Sequence, residues 1–143
     1  MQRLLEFAAN HPLLSAAILA VLGMIAGYEI QRWRRRGREV GPVEATRLRN
    51  DTEAVFVDVR SEQEYAEGHL PGARLIPLKE LDGRLKELER LRSRPIIAYC
   101  RTGNRSLAAC RILRRAGFEQ AYSLAGGIRA WQEAGLPVSR GRD

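Results

Sequence analysis

From residue 39 onward, short apolar runs alternate with stretches whose apolar residues recur at helical spacing. The short runs are rich in branched and aromatic residues and predict strands over 54–59, 74–76, 96–99 and 119–124, with a short edge strand before Pro42. The helical spacing predicts helices over 42–49, 62–66, 78–91, 104–116 and 126–134. This alternation predicts an α/β domain of three layers, in which helices cover both faces of a central parallel sheet.

The N-terminal segment has a different pattern. From His11 to Tyr28, eighteen residues include no Asp, Glu, Lys or Arg. As a helix this run is about 27 Å long, close to the roughly 30 Å of a bilayer's hydrocarbon core. Tyr28 and Trp33 suit the membrane interface. We therefore expect one transmembrane helix, with membrane contact through residues 11–30 and an anchor segment over residues 1–38.

The net charge of +7 is concentrated beside this run, because five arginines lie between Arg32 and Arg38. An excess confined to one short stretch does not indicate a nucleic-acid-binding face, so no nucleic-acid partner is expected. The positive-inside rule keeps such a block in the cytoplasm. It predicts a single-pass protein of the inner (cytoplasmic) membrane whose N-terminus lies outside and whose domain, residues 39–143, is cytoplasmic.

Two alternatives to an anchor stay open. A cleaved signal peptide normally has its positive charge before the apolar run, whereas here the arginines follow it. A buried core helix would bring the arginine block directly against the core. Gly23 and Gly27 form a small-xxx-small pair that can let two helices approach closely, and the oligomeric state stays undecided.

The cysteines and histidines do not form a metal-binding or disulfide pattern. Cys100 and Cys110 are ten residues apart, which fits neither a disulfide framework nor a Cys-x-x-Cys pair. His11 and His69 are far apart in sequence, and neither has a metal-ligand spacing. We expect two reduced thiols and no metal.

The residues 99–106, Tyr-Cys-Arg-Thr-Gly-Asn-Arg-Ser, connect a predicted strand to a predicted helix. Backbone N–H groups in such a loop, together with the helix N-terminus, stabilise a thiolate or a bound anion, which makes Cys100 a candidate nucleophile. The alternative is a buried cysteine that merely ends a strand. Gly103 is expected to turn the loop inward. Local side-chain hydrogen bonds from Thr102, Asn104 and Ser106 are expected to hold its shape.

The charged residues of the loop and of the neighbouring strand end have predicted roles as well. Arg101 and Arg105 raise the local positive potential for an anionic substrate, or else are solvated surface charges. Asp58 and Arg60 are expected to pair and to brace the loop. Glu64 is expected to form a capping box with Ser61.

Several spaced motifs over residues 39–138 resemble those of the rhodanese family of sulfurtransferases. They are Asp58-Val59-Arg60, Glu64-Tyr65, residues 68–73, the loop 99–106, Gly117-Phe118, residues 124–128 and Trp131. The resemblance implies that Cys100 accepts a sulfane sulfur as a persulfide, without a metal or organic cofactor. The donor would be a small anion such as thiosulfate, and the acceptor a thiol or a protein. The layout of the chain is similar to that of membrane-associated single-domain rhodaneses of bacteria.

Two other functions stay open. Cysteine phosphatases and arsenate reductases of related fold need an arginine six residues after the cysteine, where this chain has Ser106 and Arg105 comes one residue early. A non-catalytic docking module at the membrane would keep the fold and recruit a partner through the loop or the arginine block.

Overall fold

The computed structural model describes residues 1–35 and 38–141, and the chain divides into two compact units, Met1–Arg36 and Gly37–Asp143. Arg36, which belongs to the predicted arginine block, and Gly37, near the end of the predicted anchor segment, lie outside the described residues. The last two residues of the predicted domain also lie outside them.

The first unit consists of two helices, α1 (Gln2–Asn10) and α2 (Pro12–Arg35). Pro12 begins α2, where its missing N–H has no cost, since the first turn has no intrahelical acceptor. Within the described residues, α2 is the one helix that is long and apolar enough to cross a membrane, over Pro12–Trp33. At 1.5 Å per residue that stretch measures about 33 Å.

The second unit is built on a parallel five-stranded sheet in the order β1-β5-β4-β2-β3. The strands are β1 (Glu39–Val40), β2 (Val55–Asp58), β3 (Arg74–Leu75), β4 (Ile96–Tyr99) and β5 (Ala121–Leu124). All four strand pairings are parallel, as predicted. β5 begins two residues after the predicted start at Glu119.

Helices cover both faces of the sheet. They are α3 (Pro42–Thr52), α4 (Glu62–Glu67), α5 (Asn104–Arg115) and α6 (Gly127–Glu133). The side chains of a strand alternate between faces, so Val55 and Val57 join one core with α5, while Phe56 joins a second core with α6. Trp131 is buried in that second core, where its ring lies edge-on to Phe56. The predicted three-layer architecture is confirmed.

The segment after Pro77 differs from the prediction. Instead of one α-helix over 78–91, it forms two 3₁₀ helices, Leu78–Glu80 and Asp82–Leu91. Most of the leucines there are three residues apart, and a 3₁₀ helix with three residues per turn places such residues on one face. Leu81 and Leu88 are fully buried in the first core, so the segment contributes leucines to the core despite its different helix type.

Candidate active site

Cys100 follows the last residue of β4, at the carboxyl edge of the sheet. The register pairs Tyr99 with Asp58 at the end of β2, so the residues after both strands share one edge, where parallel α/β sheets bind ligands. The loop then turns through Gly103, whose φ of 104° lies in the left-handed region, and α5 begins at Asn104. This placement agrees with the prediction from the strand and helix pattern.

Hydrogen-bond donors of the loop surround the Cys100 sulfur. The Gly103 N–H donates to Sγ over 3.1 Å, and the Ser106 hydroxyl oxygen lies 3.6 Å from it. Burial opposes ionisation, but the Ser106 backbone N–H and hydroxyl, with the N–H groups of Gly103 and Thr102, outweigh it and lower the pKa of the thiol. Cys100 is therefore the more acidic of the two thiols, since burial raises the pKa of Cys110 to about 12.

A pair of serine hydroxyls lies beneath the sulfur. Ser106 Oγ donates to the Gly103 carbonyl over 3.1 Å and is 2.6 Å from Ser123 Oγ on β5. Both serines are fully buried. Ser123 was not among the predicted site residues, although a serine inside an apolar strand over 119–124 was a signal that could have singled it out.

The start of α6 fixes the loop from the other side. The backbone N–H groups of Ile128 and Arg129 donate to the carbonyls of Cys100 and Arg101 over 2.9 and 3.3 Å. Gly127, with φ of 62°, lies so close that a Cβ there would overlap the Cys100 and Arg101 carbonyl oxygens. A glycine is required at this position because both the conformation and the space exclude a side chain.

Asp58 and Arg60 pair as predicted. Arg60 Nη2 is 2.7 Å from Asp58 Oδ2 and also donates to the Gly68 carbonyl over 2.7 Å. Its guanidinium lies 5.6 Å from the centre of the Tyr99 ring. The pair thus connects the ends of β2 and β4 with the turn at Gly68. Among the described residues, neither the Asp58 nor the Arg60 side chain hydrogen-bonds the Cys100 sulfur, so the predicted bracing of the loop by this pair stays a prediction.

Arg105 forms a two-pronged ion pair with Glu64. Its Nη1 and Nη2 donate to the Glu64 carboxylate over 3.0 and 2.9 Å. Glu64 also completes the predicted capping box with Ser61 at the start of α4. Sequence reasoning missed this contact, which ties α4 to α5. The Glu64 carboxylate balances the charge of Arg105. The predicted role of Arg105 in substrate binding stays a prediction.

The exposed part of the loop borders an open cleft of about 470 Å³, lined by Arg101, Thr102, Glu67 and Arg129 among others. Within the described part of the chain, Arg101 makes no ion pair. The expected side-chain hydrogen bonds of Thr102 and Asn104 are not formed among these residues, and that expectation is wrong. Both side chains are exposed, while backbone donors and Ser106 hold the loop instead.

The histidine and metal predictions concern residues away from the loop. His69 is buried, its Nδ1 lies 2.9 Å from the Tyr65 carbonyl, and its ring stacks on Tyr65, so it is a hydrogen-bonded residue of its turn. Among the residues 1–35 and 38–141, no group of three or more His, Cys, Asp or Glu side chains is placed to hold a metal ion.

Comparison with known proteins connects this geometry to a family. The model of the rhodanese-like domain matches residues 42–134. The chain is 31% identical to the uncharacterized protein YibN of Escherichia coli, over 99% of this chain and 100% of that protein. It is 36% identical to a sulfurtransferase of Allochromatium vinosum, over 64% of this chain and 84% of that protein.

A solved structure agrees with these sequences. The human single-domain sulfurtransferase TSTD1 superposes with a TM-score of 0.59 at 32% identity, covering 68% of this chain and 96% of that one. The matched family model covers most of the second unit and includes every residue of the loop around Cys100. The chain therefore belongs to the rhodanese-like family.

Proposed function

We propose that this protein is a sulfurtransferase that carries sulfane sulfur as a persulfide on Cys100. The observation that carries the proposal is the ring of donors around the sulfur, with the Gly103 N–H at 3.1 Å, which lowers the pKa of the thiol. The thiolate is the nucleophile in exchange at sulfur. The same ring lies where the negative charge of a persulfide would develop.

The proposed reaction has two displacement steps. The Cys100 thiolate attacks the outer sulfur of thiosulfate, the S–S bond of the donor breaks, and sulfite leaves with the electron pair. An acceptor nucleophile then attacks the outer sulfur of the persulfide, and the thiolate is regenerated. Both steps transfer neutral sulfur between nucleophiles, so no external oxidant or reductant is required. The chemistry uses the loop's own donors and requires no cofactor.

Arg101 is the loop cation best suited to attract the anionic donor. It is exposed at the cleft and unpaired within the described residues, whereas the charge of Arg105 is balanced by Glu64. A small anion that enters the cleft would come under the positive potential of Arg101. We propose the same cleft as the path by which a thiol or protein acceptor reaches the persulfide.

The loop favours sulfur transfer over phosphate hydrolysis. Phosphate binding in the related phosphatases needs a guanidinium six residues after the cysteine, and here that residue is Ser106, whose hydroxyl faces the sulfur and Ser123. Arg105, one residue earlier, is directed to Glu64.

The test uses the full chain in detergent and the variant Cys100→Ser. We expect thiosulfate-to-cyanide transfer by the native chain, with thiocyanate measured as product, and no transfer by the variant. Intact-mass analysis after thiosulfate treatment should add the mass of one sulfur atom to the native chain alone. A chain with neither transfer nor the adduct would contradict the proposal, and full cellular function of Cys100→Ser would favour the docking module.

We further propose that α2 anchors the protein in the inner membrane with the domain in the cytoplasm. The length and composition of Pro12–Trp33 support a span, and the arginines from Arg32 onward support this orientation. The similarity to the Escherichia coli relative extends along the N-terminal segment as well. Resistance to carbonate extraction, with protease digestion of the domain in inverted but not right-side-out vesicles, is the expected result.

A further inference from the structure

Ser123 is a buried polar residue that the proposed sulfur transfer does not yet use. It lies on β5 with none of its surface exposed, and its hydroxyl is 2.6 Å from Ser106 Oγ. Burying a hydroxyl is costly unless it is hydrogen-bonded. Among the residues that the structure describes, Ser106 has the one side-chain hydroxyl within reach of the Cys100 sulfur, and Ser123 lies next to it.

The direction of the bond between the two serines follows from counting protons. Ser106 Oγ has two acceptors within reach besides Ser123, the Gly103 carbonyl at 3.1 Å and the Cys100 sulfur at 3.6 Å. Within the described residues, the Ser123 hydroxyl has Ser106 Oγ as its one partner. A hydroxyl has one proton to donate. If Ser106 donated to Ser123, the buried proton of Ser123 would have no acceptor, so Ser123 is the donor.

This direction decides what the Ser106 proton can do. With the thiol protonated, Cys100 donates to Ser106 Oγ, and Ser106 donates to the Gly103 carbonyl. When the thiol loses its proton, the Ser106 hydroxyl can rotate and donate to the thiolate, while it still accepts from Ser123. A hydroxyl that accepts a hydrogen bond is polarised and becomes a stronger donor. The Ser123 bond therefore supports the charged form of Cys100 without touching it.

We propose that Ser123 is a positioning residue for Cys100: it donates to Ser106 Oγ and so keeps the Ser106 proton available to the Cys100 sulfur. The inference rests on the proposed role of Cys100 as the sulfur carrier. The inference adds a residue from β5, a strand that comes after α5 in the chain. The reactivity of the thiolate then depends on a relay of two serines, Ser123 and Ser106.

The primary test measures alkylation of Cys100 by iodoacetamide as a function of pH, in the full chain in detergent, by mass spectrometry of the Cys100 peptide. We expect Ser123→Ala to move the profile to higher pH and to slow alkylation below its midpoint by about two- to tenfold, the factor that one net hydrogen bond contributes. Tyr122→Phe is the matched control, because it removes a hydroxyl from the neighbouring residue of β5 on the opposite face. Its profile should equal that of the native chain.

A double-mutant cycle separates the relay from a general packing effect. If Ser123 acts through Ser106, then Ser123→Ala has no further effect in a Ser106→Ala chain. An equal slowing in both backgrounds, or an unchanged profile for Ser123→Ala alone, would overturn the inference.

A second pair of variants keeps the test valid if alanine weakens the fold. Ser123→Thr and Ser123→Val have side chains of nearly the same shape and differ by the hydroxyl. We expect the alkylation profile of Ser123→Thr to stay at the pH of the native chain and that of Ser123→Val to move to higher pH. Identical profiles of the two variants would refute the relay. Alkylation does not require sulfur transfer, so the outcome is independent of whether the native chain transfers sulfur from thiosulfate to cyanide.

Discussion

Replacing Glu64 with glutamine would test how α4 holds the loop around Cys100. Glu64 accepts from the Ser61 backbone N–H over 3.0 Å and from both terminal nitrogens of Arg105. A glutamine can still close the capping box with Ser61, but it has no charge to offer Arg105. Glu64→Gln therefore removes the ion pair between α4 and α5 while the helix start remains capped.

The magnitude follows from the effect of the pair on Glu64. The Arg105 hydrogen bonds are the main cause that lowers the pKa of Glu64 from its ordinary 4.5 to about 2. A pKa difference of that size corresponds to at most about 3 kcal/mol of stabilisation of the folded state. The Arg105 and Glu64 side chains are 42% and 29% exposed, and solvent screening reduces the contribution to about 1 kcal/mol.

The same pKa gives the pH dependence. Folding lowers the pKa of Glu64, so its stabilisation is fully present above the unfolded-state pKa near 4.5 and is lost as the pH falls toward 2. We expect Glu64→Gln to lower the free energy of unfolding by about 1 kcal/mol at pH 7. The difference from the native chain should shrink steadily below pH of about 4.5.

The assay is urea unfolding of the full chain in detergent at a series of pH values. The chain has two tryptophans, Trp33 and Trp131, so a Trp33→Phe background leaves the buried Trp131 as the fluorescent reporter. Glu133→Gln is the matched control, because it breaks an exposed ion pair with Arg129 and should leave stability unchanged. The reasoning would be refuted if the loss of unfolding free energy in Glu64→Gln stayed constant down to about pH 3, or if it equalled that in Glu133→Gln.

Three further predictions concern the loop and its surroundings. Arg101→Gln should raise the KM for thiosulfate about tenfold with little change in kcat, since the residue is proposed to attract the anionic donor; steady-state kinetics with an unchanged KM would contradict this. Gly127→Ala should destabilise the domain by more than about 1 kcal/mol, because its Cβ would overlap the carbonyls of Cys100 and Arg101; urea unfolding measures this, and native stability would refute it. At pH 7.5 iodoacetamide should label Cys100 and not Cys110, because the loop donors lower the pKa of Cys100 whereas burial raises the pKa of Cys110 to about 12; peptide mass spectrometry detects the label, and equal labelling would contradict the lowered pKa of Cys100.

Features that depend on neighbours in sequence were predictable from the chain alone. β4 ends at Tyr99, so Cys100 must begin the loop at the sheet edge. Ser61 and Glu64 are three residues apart, which is the spacing that a capping box requires. The apolar run after Pro12 has the length and composition of a helix that could cross a membrane, and it lies within α2. In each case the spacing of residue types is itself the physical cause of the structure.

The helix type after Pro77 was not predictable in the same way. Leucines three residues apart lie on one face of an α-helix and of a 3₁₀ helix alike. The choice depends on how the segment packs against the first core, in which Leu81 and Leu88 are fully buried.

Contacts between distant residues were decided by the tertiary structure. Glu64 and Arg105 are 41 residues apart, and Ser106 and Ser123 are 17 apart. They meet because the sheet pairs β4 with β2 on one side and with β5 on the other. The sequence by itself determined that Cys100 is presented in a loop lined with backbone donors. The packing of the helices and the order of the strands decided which side chains pair beside and beneath its sulfur, because a linear pattern does not specify which strands become neighbours.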